Sequence, residues 1–529
     1  MVASVSPIAT RAGVDAFNRG GNAVDAAVAV ALTLGVVDGF NSGVGGGCFM
    51  LIHRANGQTI ALDGREIAPA KATRDMFVRD GKGDTTLSQT GALASGIPGS
   101  MAVYERAIKK YGRLKLADEL LTAAQVAEDG FPLSAAYATR LKSVEQPLGG
   151  FEASKAIFFN PDGTLLKQGD TLRQPDLAKS YRAMAKQGAN WFYKGDFAKA
   201  TGDWMKANGG IITARDFAKY KVIERQPISS IYRGYEILSF PPPSSGGVHV
   251  AQILNILSAF NLAALSPADR AHVLAESMKR AFADRAYYLG DPAFTRVPVG
   301  LVNPDYGRAL AAQIQTDKVV PVPQQGDPFS FDPGVFNKHT THFSTADKDG
   351  NWVACTATIN TSFGSKVVVP GTGIVLNDQM DDFSIQPGVP NAFGLVGGEA
   401  NAVAPGKRPL SSMSPTIVLQ DKKPILALGA AGGPTIITQT VLALVGVLDL
   451  HLPVDEALAQ PRLHQQWVPD VVRLETSMPD DIQQSLIARG HILDPVLSIG
   501  ATQIVGRDPQ TGEFVGAADP RVEGLAQGF

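Results

Sequence analysis

The chain has 529 residues, 48 basic against 50 acidic side chains and a formal charge of −2. This balance creates no field that would gather nucleic acid or anionic lipid, so neither is expected as a partner. With 44% hydrophobic and 19% charged residues, the sequence predicts a globular protein of two or three ordinary domains or one large layered domain, and it excludes a disordered chain.

Cysteines and apolar runs narrow the class further. Cys48 and Cys355 are the two cysteines, too few for a disulfide framework or a four-cysteine zinc site. No window reaches the roughly 20 apolar residues of a membrane span. Residues 1–7 lack the basic start and apolar stretch of a secretion signal. Two interpretations stay open: a cytoplasmic protein, or one whose leader has been removed.

Helix signals dominate the first part of the chain. Segment 22–34, NAVDAAVAVALTL, has almost no polar face and predicts a helix buried on most sides. Segment 42–52 is a glycine run that leads into a short apolar strand. Further helices are predicted at 101–111, 116–128 and 272–289. The last of these carries charges at spacings typical of surface ion pairs: Glu276, Lys279, Arg280, Asp284 and Arg285.

The last third is predicted to be richer in strands. Two strands are expected within 341–356, around the hairpin signal Asp349-Gly350. The other predicted elements are strands at 373–376, 416–419 and 425–428 and helices at 436–450 and 482–489. Before this region, the proline-rich segment 320–338 has no period, which predicts an exposed and mobile segment.

Thr340 follows that segment and is a candidate nucleophile on chemical grounds. A threonine hydroxyl needs a base beside it, and the threonine's own α-amino group can serve if a chain begins there. An unperturbed α-amine has a pKa of about 8, so it can accept a proton near neutral pH. By itself, however, a threonine before a strand is most often an ordinary strand residue.

Three sequence blocks favour the nucleophile. TTHFSTADKDGNWVACTATINTSFG at 340–364, GTGIVLNDQMDDFS at 371–384 and KRPLSSMSPT at 407–416 resemble the catalytic subunit of the γ-glutamyltransferase family (γ-glutamyltranspeptidase, glutathione hydrolase). This family belongs to the N-terminal nucleophile hydrolases. GGNAVDAAVAV at 20–30 and REIAPAKATRDMF at 65–77 resemble its large subunit. The resemblance covers nearly the whole chain.

The resemblance implies an α+β fold, a four-layer αββα sandwich that two subunits build jointly. It implies autocleavage between His339 and Thr340, which gives a large subunit, 1–339, and a small catalytic subunit, 340–529, that stay together as a heterodimer. Thr340 is then the nucleophile, and Thr358 orients its free amine. The backbone amides of Gly432 and Gly433 are expected to stabilise the oxyanion.

The resemblance also implies a pocket for the γ-glutamyl group. This group carries an α-carboxylate and an α-ammonium, so its site needs a cation with hydroxyl donors at one end and a carboxylate at the other. The residues at the matching positions are Arg65, Ser411 and Ser412 for the carboxylate, and Asp382, Asn360 and Gln379 for the ammonium.

The family further implies substrates and a location. The expected donors are small γ-glutamyl compounds such as glutathione or glutamine, and the acceptors are water, amino acids or peptide amines. No cofactor and no metal are expected. The family's usual location is the bacterial periplasm or the outside of the cell.

Three sites depart from the family pattern. Segment 387–405 resembles the lid over the donor pocket, but Phe393 stands where relatives often carry tyrosine, so a hydroxyl gate is absent. Gly64 is smaller than the bulky residue that some relatives place before the arginine, and these two differences bear on substrate preference more than on reaction type. Ala430-Ala431 stands where many relatives have serine and proline, which is expected to change the stiffness of the loop but to leave the oxyanion donors.

Two other functions remain as alternatives. A cephalosporin or glutaryl acylase of the same family would keep Thr340 and the glycine pair but favour an acyl chain without an ammonium, and Asp382 with Asn360 argues against it. A catalytically inactive binding homologue would keep the fold alone. The glycine run 43–47 lacks the ending of a phosphate-binding loop, and the chain has no HExxH or CxxC spacing for a metal.

Overall fold

The computed structural model describes residues 1–336 and 344–529. Within them the strands are, in chain order, β1 (Val2–Ser4), β2 (Gly47–His53), β3 (Thr59–Gly64), β4 (Val78–Arg79), β5 (Lys82–Gly83), β6 (Phe131–Pro132), β7 (Thr171–Leu172), β8 (Ile223–Arg225), β9 (Ile228–Tyr232), β10 (Tyr235–Ser239), β11 (Ser344–Ala346), β12 (Trp352–Thr358), β13 (Thr416–Gln420), β14 (Lys423–Ala431), β15 (Leu463–His464), β16 (Val472–Glu475), β17 (Leu493–Val496), β18 (Ala501–Arg507), β19 (Phe514–Ala518) and β20 (Leu525–Gln527).

The α-helices of the described residues are α1 (Pro7–Asn18), α2 (Ala23–Val37), α3 (Thr85–Gln89), α4 (Ser100–Tyr111), α5 (Leu116–Asp129), α6 (Ala135–Ser143), α7 (Glu145–Gly149), α8 (Glu152–Phe158), α9 (Pro175–Gln187), α10 (Ala189–Tyr193), α11 (Asp196–Ala207), α12 (Ala214–Lys219), α13 (Gly246–Leu257), α14 (Pro267–Tyr288), α15 (Pro304–Ala311), α16 (Thr435–Leu448), α17 (Val454–Ala459) and α18 (Asp480–Ala488). Short 3-10 turns lie at Val299–Val302, Pro328–Ser330, Gln379–Asp382 and Glu399–Asn401.

Two large antiparallel sheets form the centre of the fold. Their strand orders are β20-β1-β11-β12-β2-β3-β8 and β19-β18-β14-β13-β10-β9. Each sheet combines strands from both sides of residue 340. The longest junction in the first sheet joins β12 to β2, from Trp352 opposite His53 to Thr358 opposite Gly47. The parts of the chain before and after the expected cleavage position therefore build both sheets together.

The layers follow from the alternation of side chains along the strands. Leu51, Trp352 and Ile417 point between the two sheets and form a core cluster there. Met50 and Val353 point to the opposite face of the first sheet, where α1, α2 and α4 cover it. Helices α13, α14 and α16 cover the outer face of the second sheet. The predicted α+β, four-layer αββα sandwich is confirmed.

Helix α2 begins where the sequence predicts it. The Asn22 side chain accepts hydrogen bonds from the N–H groups of Val24 and Asp25, and the Asp25 side chain accepts one from the N–H of Asn22. This capping box satisfies backbone donors that would otherwise have no partner at a buried helix start. Nearly every residue of the helix is buried, as the missing polar face predicted.

The predicted strand at 373–376 is wrong. The described backbone makes only an isolated bridge there, between Val368 and Val375. Gly371 and Gly373 have φ of 72° and 67°, in the left-handed region that interrupts an extended strand. A Cβ on Gly373 would lie 2.4 Å from the backbone nitrogen of Leu177, so the turn also packs too closely for another residue.

The predicted surface ion pairs of the 272–289 helix are also wrong. Helix α14 packs between α13 and α18, and the five charged side chains named above are buried. Glu276 is 0% exposed and lies 2.9 Å from both the Lys279 Nζ and the Arg280 Nη1. Charge spacing along a helix shows which residues can pair, but it does not show whether water reaches the pair.

The described part of the proline-rich segment, 320–336, is mostly exposed or half-buried, as predicted. Two backbone N–H groups of this segment nevertheless bind carboxylates of α14. The Val320 N–H donates to Glu276 Oε2 at 3.3 Å, and the Gly326 N–H donates to Asp284 Oδ1 at 2.7 Å. The predicted mobility of this segment is not tested by these contacts, and residues 337–338 lie outside the described residues.

A buried pair of histidines joins α14 to the end of α18. His272 Nε2 lies 2.7 Å from the Gln315 carbonyl oxygen, and His272 Nδ1 lies 2.7 Å from His491 Nε2. Because a carbonyl only accepts, His272 carries its proton on Nε2, and its Nδ1 accepts from the His491 N–H. Burial, followed by the neighbouring His272, lowers the pKa of His491 to about 4.

We expect this pair to make the protein sensitive to acid. The folded state keeps His491 neutral, whereas the unfolded chain protonates it near its ordinary pKa, so its stabilisation is present above about pH 6.5 and is lost as the pH falls toward 4. Between about pH 7 and about pH 5, the free energy of unfolding of the wild type should decrease as His491 becomes harder to keep neutral. His491→Gln keeps an N–H donor but does not titrate, so its decrease over the same pH range should be smaller by about 1–2 kcal/mol. Urea unfolding at both pH values measures this, with exposed His451→Asn as control. A wild-type response in His491→Gln would contradict the expectation.

Candidate active site

A cavity of about 90 Å³ lies at the end of β12 that carries Thr358. The predicted site residues that line it are Arg65, Thr358, Asn360, Gln379, Asp382, Phe393, Ser411, Ser412, Gly432 and Gly433. His339 and Thr340 lie outside the described residues. Strand β11 begins at Ser344 and runs antiparallel to β12. The start of β11 is therefore nearer than its end to Thr358, the last residue of β12.

Arg65 is fully buried at the wall of this cavity. It follows directly after β3, and its Nε donates to the Pro409 carbonyl at 3.0 Å. Its Nη2 donates to the Leu410 carbonyl at 2.8 Å and lies 2.5 Å from Asp382 Oδ2. A planar guanidinium can make these bonds in several directions at once. Arg65 therefore fixes the loop before Ser411 and joins it to Asp382.

Asp382 lies at the end of the 3-10 turn Gln379–Asp382. Its Oδ2 also accepts a hydrogen bond from Gln379 Nε2 at 2.7 Å, and its backbone carbonyl accepts one from Asn401 Nδ2 at 2.6 Å. The sequence expectation assigned Arg65 and Asp382 to opposite ends of one substrate. The structure brings the two side chains into direct contact as one ion pair.

Thr358 and Asn360 are joined by a local turn. The Asn360 N–H donates to Thr358 Oγ1 at 2.8 Å, and Asn360 Nδ2 donates to the Asp378 carbonyl at 3.1 Å. Asn360 has a φ of 81°, a conformation that asparagine adopts more readily than most residues. Burial raises the pKa of Asp378 to about 7, against the opposing effect of Lys366. This turn places the Asn360 side chain beside the Gln379–Asp382 turn.

Gly432 and Gly433 form the turn between β14 and α16 and have φ of 133° and 62°. A Cβ on Gly432 would lie 2.6 Å from Thr435 Oγ1 and 3.1 Å from the Gly500 Cα. Glycine is thus required here both by the backbone conformation and by the close packing. The turn stands at the N-terminus of α16, where backbone N–H groups and the helix dipole favour negative charge.

A family model described as Gamma-glutamyltranspeptidase matches residues 9–529. The chain belongs to the gamma-glutamyltranspeptidase family. It is similar to the glutathione hydrolase proenzyme of Escherichia coli strain K12, with 48% identity over 100% of this chain and 92% of the relative. The corresponding proenzyme of Pseudomonas sp. strain A14 is 40% identical over 100% of this chain and 94% of its own.

Solved structures show the same gamma-glutamyltranspeptidase fold. The cephalosporin acylase from Bacillus halodurans has a TM-score of 0.88 and 29% identity, covering 100% of this chain and 96% of that one. The likeness confirms the fold type expected from the sequence, that of an N-terminal nucleophile hydrolase. The relatives also confirm that the chain is an enzyme of this family rather than an inactive binding homologue.

Phe393 closes one side of the gamma-glutamyltranspeptidase cavity. Its ring lies against Gly433, where an added Cβ would come within 2.5 Å of the ring Cδ1. The backbone carbonyls of Phe393 and Gly394 accept hydrogen bonds from Gln466 Nε2. Phenylalanine provides no hydroxyl at this point, so Phe393 meets the glycine turn through an apolar ring.

Sequence reasoning missed two residues that contact the gamma-glutamyltranspeptidase site from behind. Arg285 Nη2 donates to Ser412 Oγ at 2.9 Å, and Arg285 Nε donates to Ser245 Oγ at 2.9 Å. From its spacing on the helix, Arg285 is expected to be a surface charge. Only the packing of α14 against the loop at 409–413 brings it to the site, and no spacing in the sequence signals that contact.

Proposed function

We propose that this chain is a precursor that cleaves itself between His339 and Thr340 and then acts as a glutathione hydrolase and γ-glutamyltransferase. One observation carries the proposal. A buried arginine, a carboxylate, a serine pair and a glycine turn at a helix N-terminus, four groups with different chemistry, line one small cavity at the end of β12. The word proenzyme in the descriptions of the relatives supports the precursor.

The proposed reaction has two steps. In the first, the α-amine of Thr340 takes the proton of its own hydroxyl, and the threonine oxygen attacks the γ-carbonyl carbon of the donor. The N–H groups of Gly432 and Gly433 stabilise the oxyanion that forms. The bond between carbon and nitrogen then breaks, the leaving amine takes the proton, and a γ-glutamyl ester remains on Thr340. Thr358 positions the α-amine.

In the second step, water or the amine of an amino acid or peptide attacks the ester. The attacking group gives its proton to the α-amine of Thr340 and then, as the ester breaks, the threonine oxygen recovers that proton. The product is glutamate when water attacks and a new γ-glutamyl amide when an amine attacks. The enzyme returns to its starting state, and no cofactor takes part in either step.

The proposed substrate contacts use both charged groups on the α-carbon of the γ-glutamyl group. Arg65 with Ser411 and Ser412 binds the α-carboxylate, because a guanidinium and hydroxyls are charge-matched donors. Asp382 with Asn360 and Gln379 binds the α-ammonium. The direct contact of Arg65 with Asp382 at 2.5 Å fits a ligand whose two opposite charges sit on one carbon atom.

We also propose the assembly and location expected for the family. The pieces 1–339 and 340–529 stay together as a heterodimer because both central sheets need strands from each. The donors are glutathione or glutamine, and the enzyme acts in the periplasm or outside the cell. In the described part of the chain, none of the helices is both long and apolar enough to cross a membrane.

The likeness to a cephalosporin acylase keeps one competing function in view. An acylase would accept a glutaryl group, which has no α-ammonium and therefore has no use for Asp382. Turnover of γ-glutamyl-p-nitroanilide compared with glutaryl-7-aminocephalosporanic acid separates the two functions. We expect the γ-glutamyl donor to be preferred, and a preference for the glutaryl compound would overturn the proposed function.

Asp382→Asn tests the ammonium contact directly. Removing the Asp382 carboxylate charge should lower kcat/KM for γ-glutamyl-p-nitroanilide by about 100-fold, because the α-ammonium of the donor is then held in the cavity without its opposite charge. Turnover of glutaryl-p-nitroanilide should fall by a much smaller factor, about 10-fold or less, because this donor offers no ammonium and is affected only through the Arg65 side of the ion pair. Asp381→Asn is the matched control: Asp381 is the adjacent buried carboxylate, but it bonds Ser88 and the Ala392 N–H. A similar loss on both donors for Asp382→Asn would contradict the assignment.

A further inference from the structure

Arg285 is a buried cation to which the proposed reaction gives no task. It lies on α14 with 5% of its surface exposed. Its two bonds described above go to neutral hydroxyl groups, those of Ser245 and Ser412. The charged groups that bear on it are Asp382 and Arg65, which both belong to the candidate site. Burying an arginine among neutral partners is costly, which suggests that its charge serves the site.

Arg285 holds the serine loop, residues 409–413 with Ser411 and Ser412, through two side chains, Ser412 and Ser245. Besides accepting from Arg285, Ser245 donates its own hydroxyl to the Ser411 carbonyl at 2.7 Å, and its backbone N–H donates to the same carbonyl at 2.8 Å. The Ser411 N–H donates to the Pro243 carbonyl at 2.9 Å. Arg65 holds the preceding carbonyls of the loop from the other side. The serine pair is therefore fixed between two guanidinium groups.

The bond to Ser412 also sets the direction of that hydroxyl. A serine hydroxyl has one hydrogen to donate and two lone pairs that accept. Because Arg285 can only donate, it occupies a lone pair of Ser412 Oγ and leaves the hydroxyl hydrogen for another acceptor. Ser412 lines the 90 Å³ cavity, where the acceptor would be the carboxylate of the donor substrate.

We propose that Arg285 is a positioning residue for recognition of the substrate α-carboxylate. It turns the Ser412 hydroxyl into a donor toward that carboxylate and places a second positive charge behind the serine pair. This inference rests on the proposed function, because it assumes a donor with an α-carboxylate. Arg285 also shares a cavity of about 20 Å³ with Asp382, but Asp382 keeps its direct ion pair with Arg65, so the ammonium end should depend on Arg285 much less.

Two donors that differ only in the carboxylate test this role. They are γ-L-glutamyl-p-nitroanilide and 4-aminobutanoyl-p-nitroanilide, which lacks the α-carboxylate. In Arg285→Met, kcat/KM for the first donor should fall by about 10- to 100-fold, mostly through KM, because a charge-assisted contact weakens. For the second donor it should change by less than about 3-fold. Arg285→Lys keeps the charge but cannot bond both serines in the same way. Its kcat/KM for the γ-glutamyl donor should therefore lie between the values of Arg285→Met and the wild type.

Two further variants separate positioning from folding. The measured ratio is kcat/KM for γ-L-glutamyl-p-nitroanilide divided by kcat/KM for 4-aminobutanoyl-p-nitroanilide. Ser245→Ala keeps Arg285 but removes one of its bonds to the loop, so it should lower this ratio by a smaller factor than Arg285→Met does. Arg270→Met is the matched control, since Arg270 lies on the same helix and, within the described residues, its side chain donates to the carbonyls of Leu262 and Leu265 and not to the site. It should leave the ratio unchanged.

The outcomes are distinct. If the wild type does not turn over the γ-glutamyl donor, the proposed function fails. If the wild type is active but Arg285→Met and Arg285→Lys lower kcat/KM equally for both donors, or for neither donor, the proposed role of Arg285 is overturned and the proposed function stands. If Arg285→Met does not mature into two pieces, Arg285→Lys and Ser245→Ala decide by the same ratio.

Discussion

Replacement of Thr340 by alanine should leave the protein as a single chain of 55.8 kDa without γ-glutamyl turnover. The proposed mechanism uses one hydroxyl twice, first on the peptide bond after His339 and later on the donor amide. Alanine has no oxygen to attack either bond. A denaturing gel and an assay with γ-glutamyl-p-nitroanilide measure both losses, and we expect turnover to fall by about 10⁴-fold or more.

Thr340→Ser is the matched control for this variant. Serine keeps the hydroxyl and, after cleavage, an α-amine on the same residue, so both cleavage and turnover should persist at lower rates. Loss of both activities in Thr340→Ser would show that the threonine methyl group, and not the hydroxyl alone, is required. Full cleavage and turnover in Thr340→Ala would contradict the proposed nucleophile.

Gly432→Ala should have the second largest effect. The added Cβ would lie 2.6 Å from Thr435 Oγ1 and 3.1 Å from the Gly500 Cα, and the φ of 133° is one that alanine rarely adopts. The turn must shift, and the N–H groups of Gly432 and Gly433 shift with it. Loss of one oxyanion donor lowers kcat by about 10²- to 10³-fold. We expect kcat for γ-glutamyl-p-nitroanilide to fall by this factor, with a much smaller change in KM.

Gly512→Ala controls for backbone strain. Gly512 also has a positive φ, 73°, but no atom lies within 4 Å of an added Cβ. This variant should lose some stability, about 1 kcal/mol, and keep the wild-type kcat. If Gly432→Ala and Gly512→Ala reduce kcat to the same small extent, the glycine turn does not stabilise the oxyanion.

Much of the fold could be predicted from local patterns. The helix after Asn22 was predicted because an asparagine cap and a continuous apolar run leave few other conformations. Strands β13 and β14 were predicted from short apolar runs. The strand at 373–376 was wrong because two glycines in the left-handed region interrupt it. The charges of α14 were misplaced because their burial depends on packing against α13 and against α18, and α18 is distant in the sequence.

The candidate site was predicted through resemblance more than through chemistry. Arg65 and Asp382 are far apart in the sequence, and each alone is typical of an ordinary charged residue. Their contact depends on how the segment after β3 meets the turn at Gln379–Asp382. Arg285 was missed for the same reason, since only the packing of α14 against the serine loop brings it to Ser412. The roles assigned to the site residues remain predictions.

The most direct test of the proposed autocleavage is N-terminal sequencing combined with intact mass analysis of the purified, active protein. We expect two fragments, one ending at His339 and one beginning at Thr340 with a free α-amine. A single uncut chain that turns over γ-glutamyl-p-nitroanilide at full rate would contradict it, because the proposed base would then not exist.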